Sequence, residues 1–171
     1  FAELPAQMQQ ALLDAAQVRS LRDGERLFSR GDPAGGLCAV VQGAVRVGAF
    51  SAGGRELLLT RFQAPAWFGE IAVFDRQART HDCVADDDAV VLVIPLSALD
   101  ALLAAQPSWW RELGVLLAGK LRLSFDILEE AAVLPLAARL ARRLLVLADG
   151  HGEWIDKKMR VLALSQEQLA S

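Results

Sequence analysis

The sequence predicts a mostly β protein with added helices: an antiparallel β-roll of jelly-roll type, then a long helix and the beginning of a further helical domain. Between residues 25 and 94, short runs rich in Val, Leu and Phe are separated by glycine-containing turns, as in antiparallel rolls and barrels. From Pro107 onward, apolar residues recur at helical spacing instead. We therefore expect a β domain over residues 1–106.

A short amphipathic helix opens this domain. Over residues 5–18, apolar and polar residues alternate at helical spacing, with Met8, Leu12, Leu13 and Ala16 on the apolar face. The strands of the roll are expected to follow this helix.

Length and composition are those of an ordinary globular protein. The chain has 171 residues, of which 53% are hydrophobic and 23% charged, enough to build a core. The longest uncharged stretch, residues 89–99, contains Pro95 and is well short of the roughly twenty residues that span a bilayer. Since no basic and then apolar leader is seen either, we expect a cytoplasmic protein with no membrane partner.

The reactive residue types indicate neither catalysis nor a metal. Cys38 and Cys83 lie among apolar residues, which predicts inert core thiols, and two thiols are too few for an iron–sulfur cluster. Two histidines, His81 and His151, exclude the three-histidine site of a cupin-type metalloenzyme. The run Asp86-Asp87-Asp88 is interpreted as a solvated turn. We predict a non-enzyme with no catalytic residues and no metal site.

The helix between Pro107 and Pro135 carries two apolar stripes. One is spaced alternately four and three residues apart, as in a coiled-coil seam, and consists of Trp110, Gly114, Leu117, Leu121, Ser124 and Leu128. Beside it lie Leu113, Leu116, Lys120, Leu123 and Ile127. A helix with two apolar faces must bury both, so we expect one against the β-roll and the other against a second copy of the chain. The alternative is a core helix within a monomer.

The run Phe68-Gly69-Glu70-Ile71-Ala72, followed by Arg79-Thr80, has the groups that hold a phosphate and a sugar. Glycine before a helical turn lets backbone N–H groups approach an anion, and a guanidinium matches phosphate oxygens in pairs. An ionised Glu70 can accept a sugar hydroxyl. Taken singly, Glu70 is a carboxylate at a helix start and Arg79 a loop arginine, solvated or paired with Glu70 or Asp75. Together they indicate a nucleotide site.

The same run, with Arg79-Thr80 nine residues after Glu70, resembles the phosphate-binding cassette of cyclic nucleotide-binding domains. Gly31-Asp32, residues 39–47 and residues 90–95 resemble the β-roll of the bacterial Crp/Fnr transcription regulators. This resemblance covers nearly the whole chain. It implies a roll that binds a cyclic nucleotide, cAMP or cGMP, over residues 1–106 and a dimerisation helix over residues 107–134. The ligand-binding residues it implies are Gly69, Glu70, Ile71, Ala72, Arg79, Thr80 and, on the dimer seam, Ser124.

Residues 135–171 resemble the beginning of the winged helix-turn-helix of these regulators. Ser165, with Gln168 three residues later, forms a plausible capping box that opens a helix. The net charge of −3 argues against this segment itself being a nucleic-acid surface. The resemblance implies a homodimeric, ligand-responsive regulator that binds DNA through a part of the protein beyond residue 171.

Three residues depart from the family pattern. His81 and Asp82 follow Thr80 where a small residue is usual, and the resemblance places Phe125 where a member of the family has a serine that contacts the base. His81 either contacts the ligand or is held by Asp82. The alternative function is therefore a Crp/Fnr-type regulator whose cassette senses another small molecule or none. A regulatory module attached to a kinase or channel is a third hypothesis, which residues 165–170 disfavour.

Overall fold

The computed structural model of the chain describes residues 4–50 and 56–135, together with residues 137, 138 and 141. Eight strands and four helices follow one another in this part of the chain. In order they are α1 (Ala6–Ala15), β1 (Gln17–Leu21), β2 (Arg26–Phe28), β3 (Gly36–Gln42), β4 (Ala44–Phe50), β5 (Glu56–Gln63), β6 (Ala66–Phe68), α2 (Glu70–Asp75), β7 (Asp82–Ala85), β8 (Ala89–Pro95), α3 (Leu96–Ala105) and α4 (Trp109–Val133).

The strands form two four-stranded antiparallel sheets, in the orders β1-β8-β3-β6 and β2-β7-β4-β5. Between them lies an apolar core in which Phe62 stacks on Phe68 with ring centroids 5.2 Å apart. Cys38 and Cys83 are buried in the same core as free thiols, as the sequence predicts. The predicted antiparallel roll followed by a long helix is confirmed.

A second apolar cluster joins the helices to the first sheet. Its members are buried side chains from α1, α3 and the start of α4, packed on Leu37 of β3 and Ile94 of β8. The helical members include Met8, Leu12, Leu99, Leu103 and Leu113. This cluster fixes the first turns of α4 against the roll.

The opening helix is shorter than predicted. Residues 5–18 are expected to be helical, but α1 ends at Ala15 and Ala16 is extended, with ψ 141°. Val18 instead lies in β1, opposite Leu92 of β8, and is 65% exposed. The strand gains backbone hydrogen bonds from β8, and this non-local pairing overrides the helical pattern.

The long helix has the predicted limits, because α4 begins after Pro107 and ends before Pro135. The start of its second stripe faces the roll, where Leu113 is 1% exposed, whereas Ile127 near the other end is 37% exposed. Leu121 and Leu128 of the seam are 51% and 65% exposed, and Phe125 beside them is also exposed. In the single chain the later part of this seam, from Leu121 on, faces solvent, whereas Trp110 at its start packs against the second apolar cluster.

The acidic turn is more structured than a solvated loop. Asp86 forms ion pairs with Arg46, at 2.9 Å, and with Arg61, and all three side chains are largely shielded from solvent. The side chain of Asp87 is 79% exposed. The two arginines come from the neighbouring strands β4 and β5, so sheet pairing brings them to the turn. Among the described residues, no group of three or more His, Cys, Asp or Glu side chains is placed to hold a metal ion.

Two further expectations concern the helix-turn-helix segment and membrane-spanning helices. The helix-turn-helix start, including Ser165 and Gln168, falls almost entirely outside the described residues. Over the part of the chain that is described, none of the helices combines the length and apolar character needed to cross a membrane.

Candidate functional site

Gly69 makes the turn between β6 and α2. Its φ of +93° lies in the left-handed region, which suits glycine. A Cβ at this position would lie 2.8 Å from Nη1 of Arg79 and 3.0 Å from the carbonyl oxygen of Gly36. Glycine is therefore required both for the turn and for the close approach of the Arg79 guanidinium.

The Arg79 side chain is buried among neutral groups. The residue is 7% exposed, and its Nη2 donates to the carbonyl oxygen of Gly36 at 2.8 Å, while Nη1 donates to that of Gly69 at 3.3 Å. The guanidinium carbon lies 4.3 Å from the ring centroid of Phe28. Within the described residues no carboxylate pairs with this guanidinium. A buried cation without a counter-ion is costly, so the site favours an incoming anion.

Glu70 begins α2 and is 4% exposed. Its Oε2 accepts a hydrogen bond from Nζ of Lys120 at 2.8 Å. Lys120 also donates to the carbonyl oxygen of Trp67 at 2.7 Å and lies 5.1 Å from the ring centroid of Phe62. Burial lowers the pKa of Lys120, and the adjacent Glu70 carboxylate opposes that shift. The one buried carboxylate of the cassette is thus already balanced, which leaves Arg79 as the uncompensated charge.

Sequence reasoning placed Lys120 on the second stripe of the long helix but did not assign it to the site. A signal was available, because Lys120 is the single charged residue among Leu113, Leu116, Leu123 and Ile127. A charged residue on a face that packs against a roll needs a buried partner. Glu70 is that partner, fifty positions away in sequence.

The remaining cassette residues surround this pair of charges. Ala72 is buried beneath α2 and Ile71 is 47% exposed. The first backbone N–H groups of any helix have no partner within it, so those of the first turn of α2 are available beside Gly69. Thr80 is exposed, and its Oγ1 lies 3.0 Å from Nδ1 of His81. His81 is therefore paired with Thr80, while the Asp82 carboxylate accepts bonds from Arg26 and Arg30.

Ser124 is separate from this cluster in the single chain. It lies one turn after Lys120 on α4, is exposed, and donates its hydroxyl hydrogen to the carbonyl oxygen of Lys120 at 2.9 Å. The structure brings Gly69, Glu70 and Arg79 together and leaves Ser124 on the exposed seam. Any contact of Ser124 with a ligand depends on how that seam is covered.

The buried thiols contribute no thiolate. Burial raises the pKa of Cys38 to about 11, although the nearby Arg79 guanidinium acts in the opposite direction. Burial likewise raises the pKa of Cys83. Both side chains remain neutral near pH 7 and serve as apolar wall behind Arg79.

The site thus combines a glycine turn at the end of β6, a buried carboxylate and a buried guanidinium that no carboxylate among the described residues pairs, all carried by a β-roll. The chain matches the family model of the cyclic nucleotide-binding domain over residues 18–106, a stretch that contains Gly69, Glu70 and Arg79.

Known proteins extend the likeness beyond the roll. A CRP-like cAMP-activated global transcriptional regulator of Mycobacterium tuberculosis is 30% identical over 161 residues, which are 94% of this chain and 72% of the relative. The catabolite activator protein of Thermus thermophilus is 30% identical, with a TM-score of 0.64 over 75% of this chain and 62% of that protein. A c-di-GMP-responsive global regulator of Xanthomonas campestris shares the fold, with a TM-score of 0.75 at 24% identity over 97% of this chain and 83% of its own.

The chain belongs to the Crp/Fnr family of transcription regulators. These relatives are regulators rather than enzymes, in agreement with the expectation from sequence.

Proposed function

We propose that this chain is the sensor part of a homodimeric, cytoplasmic regulator that binds a cyclic nucleotide in its β-roll, cAMP or cGMP, and thereby alters DNA binding. The observation that carries the proposal is the buried Arg79 guanidinium, whose partners among the described residues are neutral. A cyclic phosphate supplies the missing anion. The M. tuberculosis relative is a cAMP-activated regulator, which supports this class of ligand.

Each part of a cyclic nucleotide has a complementary group. The phosphate oxygens accept from Arg79 and from first-turn N–H groups of α2 beside Gly69, because an anionic acceptor binds the guanidinium more strongly than the neutral carbonyl oxygens that Arg79 contacts otherwise. A ribose hydroxyl donates to Glu70, whose carboxylate has a second oxygen besides the one bonded to Lys120. The base extends toward α4, where Ser124 supplies a hydroxyl.

The long helix is the element that transmits binding. Lys120 joins Glu70 directly to α4, so a ligand that engages Glu70 acts on the helix through one ion pair. The exposed seam, centred on Leu121 and Leu128, is the surface on which a second copy pairs. Ligand binding regulates DNA binding if the ligand favours one arrangement of the paired helices. DNA contacts belong to the helix-turn-helix that residues 135–171 begin.

A second candidate keeps the regulator but changes the effector. His81 stands where family members usually have a small residue, and its Nδ1 lies within hydrogen-bond distance of the Thr80 hydroxyl. Phe125 has no side-chain group that could form a hydrogen bond with a base. These differences favour an anionic effector other than cAMP, or a cassette that acts without one. Mass spectrometry of the purified protein under native conditions identifies a carried-over effector.

Calorimetry with cAMP and cGMP tests the leading proposal. We expect Arg79→Ala to weaken binding by about 1.5–3 kcal/mol, the scale of a hydrogen bond to a charged group. Arg111→Ala is the matched control, because Arg111 has a 79% exposed side chain on α4 and pairs with its neighbour Glu112. This control is expected to bind as the parent chain does. Absence of both heat and a thermal shift with either nucleotide rejects the nucleotide proposal.

A further inference from the structure

Asp82 is a buried carboxylate that the function proposed above does not use. It opens β7, is 7% exposed, and lies three positions after Arg79. Its Oδ1 accepts two hydrogen bonds, from Nη1 of Arg26 at 2.8 Å and from the backbone N–H of Arg30 at 3.1 Å. One oxygen therefore ties β7 to β2 and to the loop that follows β2.

That loop, together with Gly36 at the start of β3, forms the segment 30–36, which encloses Arg79. The backbone N–H of Gly31 donates to the carbonyl oxygen of Arg79 at 2.9 Å. The backbone N–H of Arg79 in turn donates to the carbonyl oxygen of Asp32 at 2.8 Å. At the far end of the segment, the carbonyl oxygen of Gly36 accepts from Nη2 of Arg79. A Cβ on Gly35 would approach the same Nη2 to 3.3 Å. The position of the guanidinium is thus set by the position of this loop.

The charges explain why Asp82 assists Arg79 without neutralising it. The negative charge of Asp82 is compensated by the Arg26 guanidinium, whose Nη1 lies 2.8 Å from Oδ1. Had Asp82 paired with Arg79, it would compete with an incoming phosphate. The hydrogen bonds of Asp82 instead hold the enclosing loop, so the Arg79 guanidinium can pair with an anionic ligand.

We propose that Asp82 is a positioning residue for the anion site, which fixes residues 30–36 around Arg79 through its bonds to Arg26 and Arg30. This inference rests on the proposed function in one respect, that the ligand carries an anionic group. It assigns Asp82 no contact with the ligand.

Calorimetric titration of the full chain with cAMP, or with cGMP if that binds tighter, gives the first test. We expect Asp82→Ala to raise Kd about tenfold or more, the scale of a charged hydrogen bond, and Asp82→Asn to raise it less, because the amide oxygen can still accept from Arg30. Asp100→Asn is the matched control, since Asp100 also pairs with an arginine, Arg76, but on the exposed surface. Binding by this control within about twofold of the parent is expected.

A double substitution separates positioning from general stability. If Asp82 acts through Arg79, then Asp82→Asn in an Arg79→Ala background causes no further rise in Kd, because the group it positions is gone. A residue that only stabilises the fold would cause the same proportional loss in both backgrounds. Unchanged binding by both Asp82 variants, or a full additional loss in the Arg79→Ala background, overturns the proposal.

The side-chain Nε–H resonance of Arg79 gives a readout without ligand, assigned by its disappearance in Arg79→Lys. In the parent chain this hydrogen is expected to exchange slowly with solvent because the guanidinium is buried. We expect Asp82→Asn to accelerate its exchange by about tenfold or more, and Asp100→Asn to leave it unchanged. If no cyclic nucleotide binds the parent chain, the proposed function fails and this measurement still decides the role of Asp82. Equal exchange rates in parent and Asp82→Asn chains overturn that role.

Discussion

Glu70 and Lys120 form a buried ion pair, with 2.8 Å between Oε2 and Nζ, that joins the first turn of α2 to the middle of α4. The same ammonium group donates to the carbonyl oxygen of Trp67 in β6. The Glu70 carboxylate and α4 are therefore linked by one side chain.

Removing one partner of this pair should cost more stability than removing both. Lys120→Met leaves the Glu70 carboxylate buried without its counter-ion, and we expect it to lower the free energy of unfolding by about 2–4 kcal/mol. The double variant Glu70→Gln/Lys120→Met removes both charges and should recover at least half of that loss. Urea denaturation at pH 7 measures both values. A double variant less stable than Lys120→Met alone would contradict this account of the pair.

Gly36 is expected to be intolerant of any side chain. Its φ is +117°, and a Cβ would lie 2.0 Å from the carbonyl oxygen of Ile94, a backbone atom that cannot give way. We expect Gly36→Ala to lower the free energy of unfolding by about 3 kcal/mol or more, from backbone strain and overpacking together. Gly24→Ala is the control, since its φ is +74° but the space around it is open. A loss of about 1 kcal/mol is expected there, from strain alone, and equal losses at the two sites would refute the steric argument.

Alkaline pH should destabilise the fold through its buried thiols. In the unfolded chain a thiol ionises near 9.0, whereas burial raises the pKa of folded Cys38 to about 11. The folded state therefore retains a proton that the unfolded state loses. The stability linked to Cys38 is complete below pH 9 and is lost as pH rises through 11, an effect on the order of 2 kcal/mol.

The difference between the parent chain and Cys38→Ala isolates this effect. Lys120 contributes the opposite slope, because its lowered pKa makes the folded state release a proton first, and this contribution cancels in the difference. Stability measured from pH 8 upward should fall less steeply in Cys38→Ala. Parallel curves would show that the Cys38 thiol does not titrate differently in the two states.

The exposed seam of α4 is expected to mediate dimerisation of the chain. Leu121 is 51% exposed in the single chain, and a glutamate there would place like charges opposite each other if two copies pair. We expect Leu121→Glu to weaken dimerisation at least about tenfold by sedimentation analysis. Val115→Glu changes an equally exposed apolar residue beside the seam and is expected to dimerise normally. A monomeric parent chain, or the same loss in both variants, would count against the seam.

The sequence alone determined the local features of this protein. Short apolar runs separated by glycine-containing turns predicted the roll, and helical periodicity predicted the long helix. Pro107 and Pro135 predicted the limits of that helix, because these signals depend on backbone geometry over a few residues. The run around Gly69 and Glu70, with Arg79 nine residues after Glu70, likewise predicted a phosphate-binding motif, and this role stays a prediction. Each of these signals can be read without knowing which strands pair.

Only the tertiary structure decided which charges meet. Sheet register brought Asp82 to Arg26 and to the loop around Arg79, and β1 formed because β8 offered it a partner. Docking of α4 on the roll placed Lys120 beside Glu70 and left the Arg79 guanidinium without a counter-ion among the described residues. Electrostatic pairing depends on distances of a few ångströms and on burial, and both are set by packing between residues far apart in the chain.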